Sequence, residues 1–410
     1  MNTVTVIATD LLTPLGAYLR LRESGVASFL LESVEQGRLG RYSFVGAGSR
    51  LLTIDEAETL GQPVVGYVSY DYVARLEPSV PLPDAGRNLP ESRFVVPEIL
   101  VRFDHARGAA DVLCGDAAEA IDLLSGTAPA LPSGTADRRS GTRRVPSRFA
   151  YERSVERAKA HIRDGDVFQV VLSQRAERRT GATPLAIYRA LRRINPSPYL
   201  FLLELDGLAL VGSSPETLVK VDGGRASVNP IAGTTNAGPG DAERLRSSEK
   251  DRAEHVMLVD LGRNDLSRVC RAGTVKVGRY LEPERYSHVT HLVSEVSGEL
   301  IDGVDAYEVL RACFPAGTVS GAPKVRAMQL ISELEGFRRG PYAGAVGYVL
   351  PGEALDTCIG IRTVVVHDGC AFLQAGAGIV ADSDPRAEND ECLRKLAALE
   401  TAIDLAEAAP

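Results

Sequence analysis

No apolar run in this 410-residue chain approaches the ~18 residues that span a bilayer, and Met1-Asn2-Thr3-Val4 does not open a basic-then-apolar leader. No membrane association is therefore expected, and the location implied is cytoplasmic. The six cysteines (Cys114, Cys270, Cys313, Cys358, Cys370, Cys392) lack a Cys-x-x-Cys spacing, which argues against a zinc ribbon or a disulfide framework and for reduced, mostly buried thiols. Positive charge is also short: 46 Lys and Arg face 54 Asp and Glu, a net charge of -8, so the field of the molecule repels a phosphate backbone and no nucleic-acid ligand is expected. A Walker loop, a Gly-x-Ser-x-Gly elbow and a His-Glu-x-x-His helix are absent, as are repeats and low-complexity tracts.

What is present is the composition of a globular protein with a large core, 44% apolar and 24% charged. Strands are expected at Thr3 to Ile7, Ser28 to Leu31, Pro63 to Tyr72 and Phe94 to Phe103. Residues 1–125 read as an amino-terminal region and residues 126–147 as a linker, rich in Pro, Ser and Gly with Arg138, Arg139, Arg143 and Arg144. A catalytic domain is expected over 148–406. There a helix begins near Phe149 with Tyr151, Val155, Ala158 and Ile162 on one face and Gly165 as its stop, followed by a strand at Val167 to Ser173. Further helices are expected near Pro184 to Arg193, Glu249 to Asp265, Asp305 to Cys313, Pro323 to Leu334 and Pro385 to Ala406. Strands are expected at Tyr199 to Leu205, Ala209 to Ser213, Gly344 to Leu350, Asp356 to His367 and Ala371 to Ala375.

Two of these helices are acidic. Asp251 and Glu254 share a face, as do Glu388, Glu391 and Lys395, so the helices could converge on a hard cation or could be solvated, ion-paired surfaces. The run Gln374-Ala375-Gly376-Ala377-Gly378 follows a strand and could be an anion-binding loop or a bare turn; Ala381 rules out the dinucleotide fingerprint. Arg362 stands in the apolar strand Cys358 to Thr363 and demands an anionic partner, ligand or salt bridge. His288 and His291 could be bases and Glu216 an acid, or all three could be structural.

Longer motifs add to this. Leu30-Leu31-Glu32-Ser33, Gly40-Arg41-Tyr42-Ser43-Phe44, Phe168 through Arg175, Asn195-Pro196-Ser197-Pro198-Tyr199, Pro230-Ile231-Ala232-Gly233-Thr234, Ala253 through Leu261, Phe314 through Lys324 and Gly376 through Ser383 together resemble the chorismate-utilising enzymes, most closely the synthase subunits (component I) of anthranilate synthases. The resemblance runs over nearly the whole chain and is most specific from Phe149 onward. It implies an α+β fold of two packed mixed or antiparallel β-sheets covered by helices.

The same resemblance implies a magnesium ion on Glu254 and Glu391, supported by Asp251 and Glu388. Glu216 would be the general acid at the leaving C4 hydroxyl, Thr318 a neighbouring catalytic side chain, and His291 the histidine associated with pyruvate elimination. Thr234, Tyr342, Arg362, Gly376, Ala377, Gly378 and Lys395 would bind chorismate. Members that add water at C2 carry a lysine base where this chain has Gln169, and members that use a lysine nucleophile on the ring have it where this chain has Ala232, so ammonia is the implied nucleophile. No cysteine sits in a Gly-x-Cys-x-Gly elbow, so a separate glutamine amidotransferase subunit is the expected ammonia source. The product expected is anthranilate with pyruvate, through 2-amino-2-deoxyisochorismate.

A synthase that stops at that intermediate stays open, because Thr235-Asn236-Ala237-Gly238 and Asp251 depart from the family pattern and the stretch between Phe44 and Val64 is short. A catalytically silent regulatory subunit is disfavoured by the retained site positions. Glu32, Ser33, Asn195, Pro196, Ser197 and Tyr199 resemble the two walls of a tryptophan feedback pocket, with tryptophan regulation left open, as is assembly into a homodimer or heterotetramer.

Overall fold

The computed structural model describes residues 6–35, 38–127, 129–131, 141–236, 238–285 and 289–408. Two large sheets form its centre. The first, of 12 strands, runs Val6–Ala8, Ala109–Cys114, Ile99–Asp104, Arg38–Gly48, Ala27–Glu35, Tyr199–Leu205, Leu208–Ser214, Thr363–His367, Cys370–Ile379, Gln169–Arg179 and Gly321–Ala322, with Arg143–Val145 added beside Gln169–Arg179. The second, of nine strands, includes Thr217–Asp222, Ala354–Ile359, Ala345–Leu350 and Val64–Val68 in consecutive order. Neighbouring strands pair antiparallel in both. A small third sheet joins Ile231–Asn236, Val289–Val293 and Glu282–Arg285.

Alternation along each strand decides where the apolar side chains go. Phe29, Phe44, Phe201 and Leu203 of the first sheet meet Tyr67, Val346, Leu350 and Cys358 of the second in one buried cluster. Helices pack on the other faces. Pro184–Ile194 starts at Thr183, whose hydroxyl accepts from Ala186 N, and buries Leu185, Tyr188 and Leu191 beside Leu399 and Ile403 of the carboxy-terminal helix Pro385–Ala408. Arg148–Arg163 is capped by Ser147 and buries Tyr151, Val155 and Ala158, the stripe its sequence predicts.

Three expected elements differ instructively. Phe94 to Phe103 is two strands, Ser92–Val96 and Ile99–Asp104, which belong to different sheets. Asp356 to His367 is likewise two, Ala354–Ile359 and Thr363–His367, and the chain changes sheet between them. The breaks fall at Pro97-Glu98 and at Gly360 to Arg362, short interruptions between flanking strands that are apolar on both sides because each is buried. The glycine run at 374–378 is no loop: it lies within Cys370–Ile379, with Gly376 opposite Ser173 and Gly378 opposite Val171. The suggested linker falls largely on residues outside those described, though Arg143–Val145 pairs with the strand Gln169–Arg179.

Candidate active site

Two of the passages of the chain between the sheets lie side by side, and each carries a candidate side chain. Leu208–Ser214 leaves the first sheet and Thr217–Asp222 enters the second, with Glu216 between them. Ala354–Ile359 leaves the second and Thr363–His367 enters the first, with Arg362 between them. Backbone bonds stitch the passages together: Ile359 N donates to Glu216 O at 3.0 Å and Ser213 N donates to Arg362 O at 3.1 Å. Arg362 adopts φ +51°, a left-handed conformation uncommon for a long side chain.

Glu216 is buried, and loss of hydration pushes its carboxyl pKa up to about 8 against smaller downward pulls from the Thr318 hydroxyl and the Lys395 ammonium. The group therefore holds its proton at neutral pH, poised as an acid. Thr318 comes from the single turn Gly317–Val319; its Oγ1 faces that carboxyl and is otherwise buried without a partner among the described residues.

Beside this acid lies one face of Cys370–Ile379. Gly376 and Gly378 are small because other groups occupy the space a side chain would need. A Cβ on Gly376 would lie 2.7 Å from Tyr342 Oη, and one on Gly378 would collide with Gln169 Nε2. Ala377 points to the opposite face, into the core, so only its backbone borders the site. Lys395 Nζ donates to Gly376 O at 2.7 Å and pairs with Glu391 at 2.6 Å. Arg362 sits near Tyr342 and Glu391; burial lowers its pKa and those two neighbours raise it in part.

The carboxylates reach this face from two helices. Glu254, on Glu249–Ser267, accepts from Gln169 Nε2 at 3.3 Å, next to Gly378, while Glu391 is held by Lys395 at Gly376. Two positions along a strand is roughly 7 Å, so the glutamates flank one short stretch of backbone. Glu388 lies near Tyr151 and Cys392, and Asp251 packs against Gly233 of the third sheet. Among the described residues no three metal-ligating side chains are gathered into a cage. The hard carboxylate oxygens of Glu254 and Glu391 nevertheless fit magnesium, which commonly takes one or two carboxylates and completes its shell with water and substrate oxygens. Gln169 Oε1 is buried with no partner, an acceptor left over at the same place.

His291 stands on Val289–Val293, opposite Thr234. Its Nδ1 lies 3.4 Å from Gly233 O, and burial depresses its pKa, with Arg362 acting in the same direction. The ring is therefore neutral at pH 7. The Thr234 side chain, His288, Arg138 and Arg139 lie outside what the structure describes.

The second expected pocket is some distance along the first sheet. Glu32 lies opposite Leu200, which brings the Glu32-Ser33 segment beside Asn195 to Tyr199. The Glu32 carboxylate is buried, bonded to the Tyr188 hydroxyl and paired with Arg192 at 3.2 Å. Ser33 is shielded by Gly40, Ser213 Oγ donates to Asn195 O, and Ser197 is buried, with Pro196 partly covered. Tyr199 Oη contacts Asp356 at 2.9 Å and Thr217, next to Glu216, at 2.8 Å.

Sequence reasoning missed one buried group. Arg339 Nη2 pairs with Glu335 at 2.6 Å, and the guanidinium also donates to Val319 O at 2.7 Å and Val171 O at 2.8 Å. Glu335 in turn accepts from Ser173 N and Oγ at 2.7 and 2.8 Å. This network ties the turn of Thr318 to the strand opposite Gly378. Its only sequence signal is the i, i+4 spacing of the pair, which surface helices share.

A family model described as chorismate binding enzyme matches residues 26–401. Anthranilate synthase component 1 of Thermus thermophilus is 43% identical, with 97% of each chain covered. The protein of that name from Streptomyces coelicolor is 44% identical over 98% of this chain and 88% of its own length. Among solved structures, anthranilate synthase component I from Streptococcus pneumoniae superposes with a TM-score of 0.78 at 33% identity, covering 98% of this chain and 100% of that one. The menaquinone-specific isochorismate synthase MenF from Escherichia coli has the same fold, with a TM-score of 0.79 at 23% identity over 98% of this chain and 94% of its own.

Proposed function

This chain belongs to the chorismate binding enzyme family, and on that premise we propose that it converts chorismate and ammonia to anthranilate, pyruvate and water. The observation that carries the proposal is the burial of Glu216 beside Thr318 and Lys395, which pushes its carboxyl pKa up to about 8. In the first half-reaction ammonia forms a bond to C2, the ring double bonds shift, and the C4–O bond breaks. Glu216 gives its proton to the departing hydroxyl, which leaves as water, and the new amine loses a proton, giving 2-amino-2-deoxyisochorismate. Tyr342 and Arg362 hold the enolpyruvyl carboxylate, the arginine as a planar fork, while Lys395 and the backbone at Gly376 and Gly378 border the ring carboxylate.

Gln169 supports ammonia as the nucleophile. A neutral amide cannot take a proton from water, yet its free Oε1 can accept a hydrogen bond from ammonia. In the second half-reaction the C2 proton is removed and the C3–O bond breaks. The released enolate takes up a proton at its methylene carbon to become pyruvate, and the ring becomes aromatic. Neutral His291 is suited to accept that C2 proton. Glu254 and Glu391 would hold magnesium, with Asp251 and Glu388 supporting its water shell; the ion would neutralise the ring carboxylate of chorismate. Ammonia would come from a separate glutaminase polypeptide, which the relatives' designation as component 1 supports.

The test is incubation of the purified chain with chorismate, magnesium and a high concentration of ammonium, with products identified by mass. Anthranilate and pyruvate in equal amounts are expected. Accumulation of the aminated ring with its enolpyruvyl group intact would contradict the second half-reaction, and unchanged chorismate would contradict both.

A further inference from the structure

Past Gln374 the inter-sheet face of Cys370–Ile379 leads away from the catalytic residues into a second cavity. Arg87, Arg175, Arg338, Tyr342, Gln374 and Phe372 are among its walls. Tyr342 and Gln374 separate the two spaces: Gly376 packs under the Tyr342 hydroxyl, and Gln374 Nε2 is bonded to Ser173 Oγ at 2.8 Å.

This cavity has more guanidinium groups than carboxylates. Glu177 serves Arg87 at 2.7 Å and Arg143 at 2.8 Å. Among the described residues, Arg175 and Arg338 have no carboxylate within 4 Å. Among the described residues, Nε of Arg87 and Nε of Arg175 are both buried without an acceptor. Buried donors of this kind ordinarily have partners, and two in one positively charged cavity call for an anion. Burial lowers the Arg175 pKa, Glu177 pulls it back in part, and crowding by Arg87 and Arg143 lowers it further. The floor is apolar: the Arg87 guanidinium carbon lies 3.2 Å from the centroid of the Phe372 ring, and Leu89 and Val365 line the same space. At about 30 Å³ the free volume holds one small planar head and little more.

We propose that this cavity is a second anion site, distinct from the catalytic one, that takes a small organic monocarboxylate. Its carboxylate meets the guanidinium groups of Arg87 and Arg175 that line the cavity, and its short carbon body lies against Phe372 and Leu89. Planar forks match a carboxylate, and the apolar floor favours an organic acid over an inorganic ion. Pyruvate belongs to this class. Its relevance as a product rests on the function proposed above; its binding does not.

The experiment is a calorimetric titration of the intact chain with pyruvate, and separately with inorganic phosphate, in the absence of chorismate. Saturable pyruvate binding is expected in the unaltered chain and in R362Q, which disables the catalytic pocket. Binding should weaken about tenfold or more in R175Q and in R87Q. R87Q alters a partly exposed side chain and keeps the Arg143 partner of Glu177, so it decides the matter if R175Q fails to fold. No saturable binding would overturn the proposal and identify the occupant as solvent. Binding lost in R362Q but kept in R87Q would place pyruvate in the catalytic pocket, and phosphate binding as tightly as pyruvate would contradict the organic-acid assignment. Since no turnover is involved, failure here leaves the proposed reaction standing.

Discussion

In the proposed reaction Glu216 is the acid, and its proton also links activity to stability. The ordinary carboxyl value of 4.5 becomes about 8 in the folded chain. Between those values the native state keeps a proton that the unfolded chain has released, so stability falls as pH rises through the window. Glu216→Gln removes this dependence: denaturant unfolding at pH 6 and pH 9 should show the unaltered chain losing stability relative to the variant. The same change removes the acid, and kcat should drop by about 100-fold to 10,000-fold. His291 works with the opposite sign, because burial keeps it neutral to below its ordinary 6.5. His291→Ala should slow pyruvate release more than chorismate consumption, and single-turnover product analysis would show the aminated ring accumulating. Equal slowing of both steps would remove His291 from the second one.

At the scale of elements, the site depends on chain segments that cross from one sheet to the other and on a strand thinned by glycine. Gly378→Ala would drive a methyl group into Gln169 and disturb its bond to Glu254, so KM for chorismate should rise while the fold, read by near-ultraviolet circular dichroism, is retained. The buried Arg339–Glu335 pair holds the turn of Thr318 against the strand that faces Gly378. Removing one partner leaves an uncompensated buried charge, and Arg339→Leu should lower unfolding free energy by about 3–5 kcal/mol in urea titration.

These elements were unequally legible from sequence. Helical stripes such as Tyr151, Val155 and Ala158 announced themselves through spacing. The crossing at 362 did not, since both flanking strands are apolar and periodicity cannot tell one long buried strand from two that swap sheets. Glu216 and Arg362 became candidates through the motif resemblance and through the oddity of charge in apolar surroundings. Arg339 had neither signal, and only packing reveals it.

For the whole molecule, the two sheets draw on both ends of the chain. Ala27–Glu35 pairs with Tyr199–Leu205 in the first sheet, and Val64–Val68 pairs with Ala345–Leu350 in the second. A fragment beginning at residue 148 would expose both pairing edges and much of the Phe29, Phe44 and Tyr67 cluster. It should aggregate or lack a cooperative melting transition by calorimetry; a sharp transition would show that the later residues fold alone. The shared architecture also turns the Tyr199 side chain to the inter-sheet face, away from the Glu32 carboxylate, and into contact with Thr217, the residue that follows Glu216.

The account turns on Glu216 being a protonated acid in the folded enzyme. Infrared difference spectra of the unaltered chain and Glu216→Gln, recorded from pH 6 to pH 9, measure that proton directly. The account predicts a carboxylic-acid carbonyl band that is absent from the variant and disappears with a midpoint near pH 8. A Glu216 carboxylate already ionised at pH 6 would contradict it.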